Sequence, residues 1–303
     1  MTPNGNSNDE SESFGMVGRD AKLQQIREII RTAAPSDASV LIEGESGTGK
    51  QLIATAFHAH SRRCAGPFLR VNCAALPHEE FATVIAAANG GTLLLDELAG
   101  MPAHLQMKFS RRGEIDVDFR LLVMTNRNAA ALLREGILRE DLYFRISTIM
   151  IRVPALRERL DDIPLLSRHF LERFNKQYGK KIRRLSQETL FRLVRYDWPG
   201  NVRELERVIE RAVVFCSGKE LRPECLPEEF QGKDLRSIPF VIPPLVPMAE
   251  IEREAILQTL ARTSGNVKRS AQILRYPRPT FYRKLKKFGI KVERAGPRSQ
   301  PST

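Results

Sequence analysis

Residues 44–51 read Gly-Glu-Ser-Gly-Thr-Gly-Lys-Gln, and they stand between an apolar run, "SVLI", and a helical pattern, "LIATAFHAH". This is the spacing G-x-x-x-x-G-K. A chain of that form has few options. Glycines let the backbone curl so that its N–H groups converge, and the following helix N-terminus adds partial positive charge. A lysine at the end of the turn then reaches the outer phosphates of a nucleoside triphosphate. Gly44, Glu45, Ser46, Gly47, Thr48, Gly49, Lys50 and Gln51 are therefore candidate phosphate-binding positions. Gln51 stands where the pattern usually has a Ser or Thr hydroxyl for Mg²⁺.

A second segment fits the first. "GGTLLLDELAG" reads as a strand over Thr92–Asp96, apolar almost throughout, that ends in two adjacent acids, Asp96 and Glu97. Burying a carboxylate costs several kcal/mol unless it is compensated. A strand that simply reaches the surface would end the same way. A strand ending beside the phosphate loop gives both acids a task. Asp96 would face Mg²⁺, largely through water, and Glu97 would orient the water that attacks the γ-phosphate.

The rest of the chain supplies the scaffold. Leu23, Ile26, Ile29 and Ile30 share one face of a helix. "SVLIEG", "FLRVNC", "GTLLLD", "FRLLVMTN" and "TIMIRV" read as strands, alternating with the helical stretches "GKQLIATAFHAHSRR" and "HEEFATVIAAA". Short apolar strands alternating with helices predict an α/β fold with a mostly parallel sheet covered on both faces. The predicted divisions are a disordered segment 1–13, an α/β nucleotide-binding subdomain 14–160 and a lid 161–230, helical only as far as Cys216. A proline-rich linker 231–247, an all-α domain 248–290 and a flexible tail 291–303 follow.

Charge marks the last domain. Of a net +12, residues 248–290 carry +7, from ten Lys/Arg against three Glu, which predicts a polyanionic partner. The polar, acidic N-terminus has the form of no signal peptide, and no apolar run approaches the ~20 residues of a membrane helix. The four cysteines form no CxxC pair and the five histidines are scattered. Reduced thiols, no metal cluster of their own, no membrane and a cytoplasmic location are the expectation.

Taken together, "GESGTGK", "VNCAAL", "GGTLLLDE", "TNR", "LREDLYFRI", "VPALRERLDDIPLL" and "WPGNVRELERVIERAV" resemble the AAA+ domain of bacterial enhancer-binding proteins, the activators of sigma-54 RNA polymerase. The likeness runs over about residues 14–217. It implies an ATP- and Mg-dependent P-loop ATPase, with hydrolysis expected but weakened by the missing hydroxyl at Gln51. Thr125 and Asn126 match the sensor that lies near the γ-phosphate. Arg139 and Arg145 match arginine fingers that reach a neighbour's nucleotide in a hexamer. Arg203 matches the lid sensor, and Asn72 the switch residue that pairs with the catalytic glutamate. Family members often carry Glu where this chain has Gln51.

"SGNVKRSAQILRYPRPTFYRKLKKFGI" resembles the Fis-type helix-turn-helix that ends the same family. The apolar positions Ala271, Ile273 and Leu274 suit its first helix, and Thr280 to Phe288 the recognition helix, with Pro279 in its first turn. Arg278, Thr280, Tyr282, Arg283, Lys284 and Lys287 are candidates for contact with bases or phosphates of duplex DNA. Relatives usually carry glycine where this chain has Arg275.

Relatives also have a longer segment between "NCAAL" and "GGT" that contains GAFTGA and touches sigma-54; here "PHEEFATVIAAAN" bridges the gap directly. The stretch from Glu97 to Thr125 is shorter too, and no receiver domain precedes Phe14. The expectation is a DNA-binding transcription regulator that binds ATP, self-associates as a dimer to hexamer, and cannot remodel sigma-54 polymerase by itself. The alternatives are a conventional sigma-54 activator, and an assembly partner of a full-length relative.

Overall fold

In the computed structural model, five parallel strands form one sheet in the order β2-β3-β4-β1-β5. They are β1 (Val40–Glu43), β2 (Phe68–Asn72), β3 (Thr92–Asp96), β4 (Arg120–Thr125) and β5 (Ile149–Arg152). The structure describes residues 13–75, 80–110, 117–230, 248–263 and 265–290. The expected disordered N-terminus up to residue 12, the linker 231–247 and the tail 291–303 lie outside them. The chain divides into two units that meet in sequence at Pro227.

The two-residue period of a strand sorts the sheet's side chains onto two faces. On one face Leu41, Leu93, Leu95 and Val123 meet Phe81 and Ile85 of α3 (Phe81–Ala87), Phe109 of α4 (Ala103–Ser110) and Leu142 of α6 (Glu140–Ile146). On the other face Val40, Ile42, Leu94, Leu122 and Met124 meet Leu23, Ile26 and Ile30 of α1 (Ala21–Ala33) and Ile53 and Phe57 of α2 (Lys50–Ala59). The helix α5 (Ala129–Arg134) follows β4. Leu93, Leu94 and Leu95 are buried to 1% exposure or less, so the strand with two terminal acids is indeed a core strand. Each such leucine contributes about 1.5–3 kcal/mol.

The sheet directs the site. In open parallel sheets the crevice lies beyond the carboxyl ends of the strands. β1 sits between β4 and β5, and β3 is its neighbour's neighbour, so the phosphate loop after β1 and the acids ending β3 emerge on one edge.

The lid follows: α7 (Asp162–Tyr178), α8 (Gln187–Val194) and α9 (Asn201–Phe215). It is not wholly helical to Cys216 as expected. β6 (Arg184–Leu185) pairs with β7 (Glu220–Leu221), a pair too short to show any periodicity in sequence. Trp198 is fully buried, its indole N–H donating to the Leu193 carbonyl at 2.7 Å.

The second unit packs α10 (Met248–Arg262), α11 (Val267–Ile273) and α12 (Arg278–Lys287) around Ile256, Leu260, Ala271, Phe281 and Leu285. Three details bear on the helix-turn-helix, of which the bounds of the last helix differ from expectation. Ile273, at the end of α11, is 57% exposed, whereas Ser270 and Ala271 are buried and Val267 and Leu274 pack partly buried against the core. The last helix begins at Arg278, capped by Pro277, and ends at Lys287. Arg275 adopts φ 54°, the left-handed conformation that a glycine would take without strain. The turn is thus kept, at a cost of about 1–2 kcal/mol to the arginine.

Candidate functional site

The loop after β1 is built as glycine requires. Gly47 has φ 78°, and a Cβ there would lie 2.2 Å from the Gly200 carbonyl oxygen, so lid and loop touch through a position that tolerates no side chain. Gly49, at φ 104°, turns the chain into α2, whose N-terminus opens at Lys50. The Lys50 ammonium donates to the carbonyls of Gly44 at 2.6 Å and Glu45 at 2.9 Å. Burial lowers its pKa, opposed chiefly by the charge of Asp96. A lysine so placed, partly dehydrated and facing a carboxylate, suits an anion.

The lid holds the loop from above. Asn201, fully buried and in the left-handed region at φ 54°, donates from Nδ2 to the Glu45 carboxylate and to the Ser46 carbonyl, and accepts the Leu156 N–H at 2.8 Å. Arg157 pairs with Glu45 and, with Asn201, holds that carboxyl at a pKa of about 2. The Arg203 N–H donates to the Gly47 carbonyl at 3.3 Å, and its guanidinium reaches the Ser46 hydroxyl at 3.4 Å. Arg157 and Asn201 were not singled out in the sequence. Their only signals are the "GN" turn and an arginine in "ALRERL".

The acids close the site from below. β2 and β3 pair with Asn72 opposite Asp96. Glu97 then takes φ 57°, ψ 52°, a left-handed turn rare for a non-glycine residue. Strain of this kind gathers at functional sites. The Asn72 amide donates to the Glu97 carboxylate at 3.3 Å. Asp96 Oδ1 accepts the Glu97 N–H at 2.9 Å, and Oδ2 is bound by Arg70. A cavity of about 290 Å³ lies among Ser46, Lys50, Asp96, Glu97, Asn126 and Arg203. Beside it a second, also about 290 Å³, is walled largely by apolar groups, among them Val17, Leu52, Ile53, Val153 and Phe170.

Other candidates lie elsewhere. Thr125 is buried and its hydroxyl bonds the Arg127 backbone, leaving Asn126 as the sensor residue that lines the cavity. Arg139 caps α6 and pairs with Asp141, and Arg145 donates to the Phe109 carbonyl. Neither lines the cavity of its own chain.

Among the described residues no group of three His, Cys, Asp or Glu could hold a metal, and His58 bonds Thr92 in the core wall. The oxygens that would hold Mg²⁺ are those of the Asp96 carboxylate and the Gln51 amide. Both are hard oxygens, and Mg²⁺ with a nucleotide needs only one or two protein oxygens, so the residues fit it.

In the second unit the last helix turns Phe281 and Leu285 inward and Arg278, Tyr282, Arg283, Lys286 and Lys287 outward. Thr280 is half-buried. Lys284 is held by Glu252 of α10 and lies 5.3 Å from the Tyr276 ring centroid. Lys286, three residues from Arg283 on the same outward face, was missing from the expected contacts.

Comparison with known proteins agrees with this architecture. Residues 16–84 and 79–152 match the Sigma-54 interaction domain, 157–238 the AAA+ ATPase lid domain and 247–288 the Fis-family bacterial regulatory protein domain. The transcriptional regulatory protein ZraR of Escherichia coli K12 is 37% identical, over 91% of this chain and 69% of ZraR. The chain belongs to the bacterial enhancer-binding protein family. The regulatory protein AtoC of E. coli K12 is 40% identical over 85% of this chain and 64% of its own. Among solved structures, NtrX from Brucella abortus in complex with ATP is 31% identical, with a TM-score of 0.66 over 91% of this chain and 70% of NtrX. As in the family, a nucleotide-binding AAA+ unit precedes a helix-turn-helix DNA-binding unit. The two segments of the sigma-54 match meet at 79–84, within the stretch that bridges β2 and β3. No helix of the described residues is long and apolar enough to cross a membrane.

Proposed function

We propose that this protein is a cytoplasmic transcription regulator that binds ATP with Mg²⁺ in its AAA+ unit and duplex DNA through its C-terminal helices, but does not remodel sigma-54 polymerase by itself. The observation that carries the nucleotide reading is the convergence of Lys50, Asp96, Glu97, Asn126 and Arg203 on one cavity at the carboxyl edge of the sheet. ATP-bound NtrX supports it by similarity.

In this reading the loop from Gly44 to Gln51 and the α2 N-terminus cradle the phosphates. Lys50 leaves the Gly44 and Glu45 carbonyls for the β- and γ-phosphate oxygens. The apolar cavity beside Val17 and Phe170 takes the base. Magnesium held by Asp96 neutralises phosphate charge when bound. Glu97 orients a water toward the γ-phosphate, and Asn72 holds Glu97 back until nucleotide draws it away. Asn126 and Arg203 sense the γ-phosphate from strand and lid. Arg139 and Arg145 complete the site of a neighbouring subunit in an oligomer, where a guanidinium stabilises the charge spread in phosphoryl transfer.

Lys50→Ala is expected to weaken ATP binding about 10- to 100-fold, the worth of a charge-assisted hydrogen bond to phosphate. Calorimetry showing unchanged affinity would overturn the assignment. For DNA, the outward Arg278, Tyr282, Arg283 and Lys287 enter the major groove, with Thr280 at its margin and Lys284 as a support for the helix. Arg283→Ala is expected to weaken duplex binding and, if it loses one phosphate contact, to lower the log–log salt slope by about 0.9. A slope unchanged together with unchanged affinity rules this residue out.

A further inference from the structure

Arg70 takes no part in the mechanism above, yet it bonds both of the residues whose oxygens fit the metal. It lies on β2, the edge strand, two residues before Asn72, and is 47% exposed. Its guanidinium spans the floor of the phosphate cavity. Nε and Nη2 donate to Asp96 Oδ2 at 3.1 and 2.6 Å, while Nη1 donates to Gln51 Oε1 at 2.8 Å. A guanidinium only donates, so it is the oxygen of the Gln51 amide that faces it. Asp96 is only 13% exposed, and this ion pair takes one of its two oxygens. The two protein oxygens that fit Mg²⁺ are therefore bridged by one side chain of this chain's own.

We infer that Arg70 is a resident cation of the nucleotide site, which neutralises Asp96 whenever no divalent metal is bound there and so lets the nucleotide bind with little dependence on Mg²⁺. The inference rests on the reading that phosphates occupy the Gly44–Gln51 loop. The reasoning is electrostatic. Without metal, a triphosphate entering this cavity meets two carboxylates, Asp96 and Glu97, as well as Lys50 and Arg203. Like charges about 4–6 Å apart repel appreciably where solvent is partly excluded. Arg70 cancels the nearer of those charges and is itself open to the cavity, so it can share a donor with a phosphate oxygen. A planar fork holds carboxylate and amide oxygen at once in fixed directions, where an ammonium offers a compact point charge on a flexible stem. Gln51 has its place in the same account. A Ser or Thr hydroxyl would be too short to meet a guanidinium held at Asp96, whereas the amide reaches it and, unlike Glu, adds no further negative charge beside the phosphates.

The test is ATP affinity of the full chain, measured by calorimetry with Mg²⁺ and again with EDTA. For the unaltered protein removing Mg²⁺ is expected to change affinity less than about threefold. For Arg70→Ala the Mg-free affinity is expected to fall at least about tenfold further than the affinity with Mg²⁺. Arg70→Lys, which keeps the charge but not the fork, should lie between the two. Gln51→Ala should shift in the same direction as Arg70→Ala but less. Equal Mg-dependence in Arg70→Ala and the unaltered protein overturns the inference while leaving ATP binding intact. So does a collapse of the unaltered protein's affinity in EDTA. No ATP binding with Mg²⁺ overturns the nucleotide reading and this inference with it. A cooperative melt of Arg70→Ala matching the parent ensures that any loss is local.

Discussion

Glu97→Gln is expected to lower ATP hydrolysis by roughly 100- to 10,000-fold, the contribution of a positioned general base, while ATP still binds. The amide keeps the volume of the side chain and an oxygen for the Asn72 N–H, which the structure places at 3.3 Å from the carboxylate. It removes the negative charge and with it the basicity. The left-handed turn at Glu97 belongs to the backbone, fixed by the Asp96 carboxylate bonding the Glu97 N–H and by the Glu97 carbonyl accepting from Gly100 at 2.8 Å. Gln sits there as readily as Glu, so the geometry is expected to survive. Phosphate release in steady state, set beside calorimetric ATP binding, separates the two effects. Hydrolysis within a few-fold of the parent would take the general-base role from Glu97. Loss of binding together with hydrolysis would show that the acid serves the nucleotide's charge and not the water.

Much of this site was legible before any coordinates. Local spacing fixes the Gly44–Lys50 turn, because glycine, lysine and a following helix act within a few residues. The strand Thr92–Asp96 was read with its observed ends, since three consecutive leucines bounded by glycines and acids leave little choice. What escaped was set by register and by distant partners. Arg70 reads as one polar residue in an edge strand. Only the pairing of Asn72 with Asp96, 24 positions apart, brings its guanidinium to the acid and to Gln51. Asn201 reads as the start of a helix, and its role as a clamp on Glu45 and Ser46 appears once the lid folds back over 155 positions of chain. Lys284 looked like any basic residue of a recognition helix until α10 supplied Glu252 beside it. In each case the deciding partner is non-local.

The same division between local and non-local bears on the largest expected effect, which is a complete absence. Supplied with its own DNA site upstream of a sigma-54 promoter, with ATP, this chain alone is expected to form no open complexes above the activator-free background. In the family, hydrolysis acts on polymerase through the GAFTGA segment between β2 and β3. Among its described residues that connection holds the short helix α3, and its sequence has no Gly-Ala-Phe or Thr-Gly pair. Its large apolar residues are engaged in the core: Phe81 and Ile85 pack with Phe109 and Leu105, and Ala88 is fully buried against the same cluster. Pulling them out to meet a partner would expose groups worth about 1.5–3 kcal/mol each. A nucleotide cycle shifts polymerase between closed and open states only if some surface binds the two states differently. Without such a surface, hydrolysis and promoter opening would be uncoupled, and regulation would reduce to occupancy of DNA or to co-assembly with a relative that carries the loop. In vitro transcription measures this directly, with Glu97→Gln as the control for hydrolysis. Open complexes formed by the parent chain and lost in that variant would mean that another surface does the remodelling, and the uncoupling argument would fall.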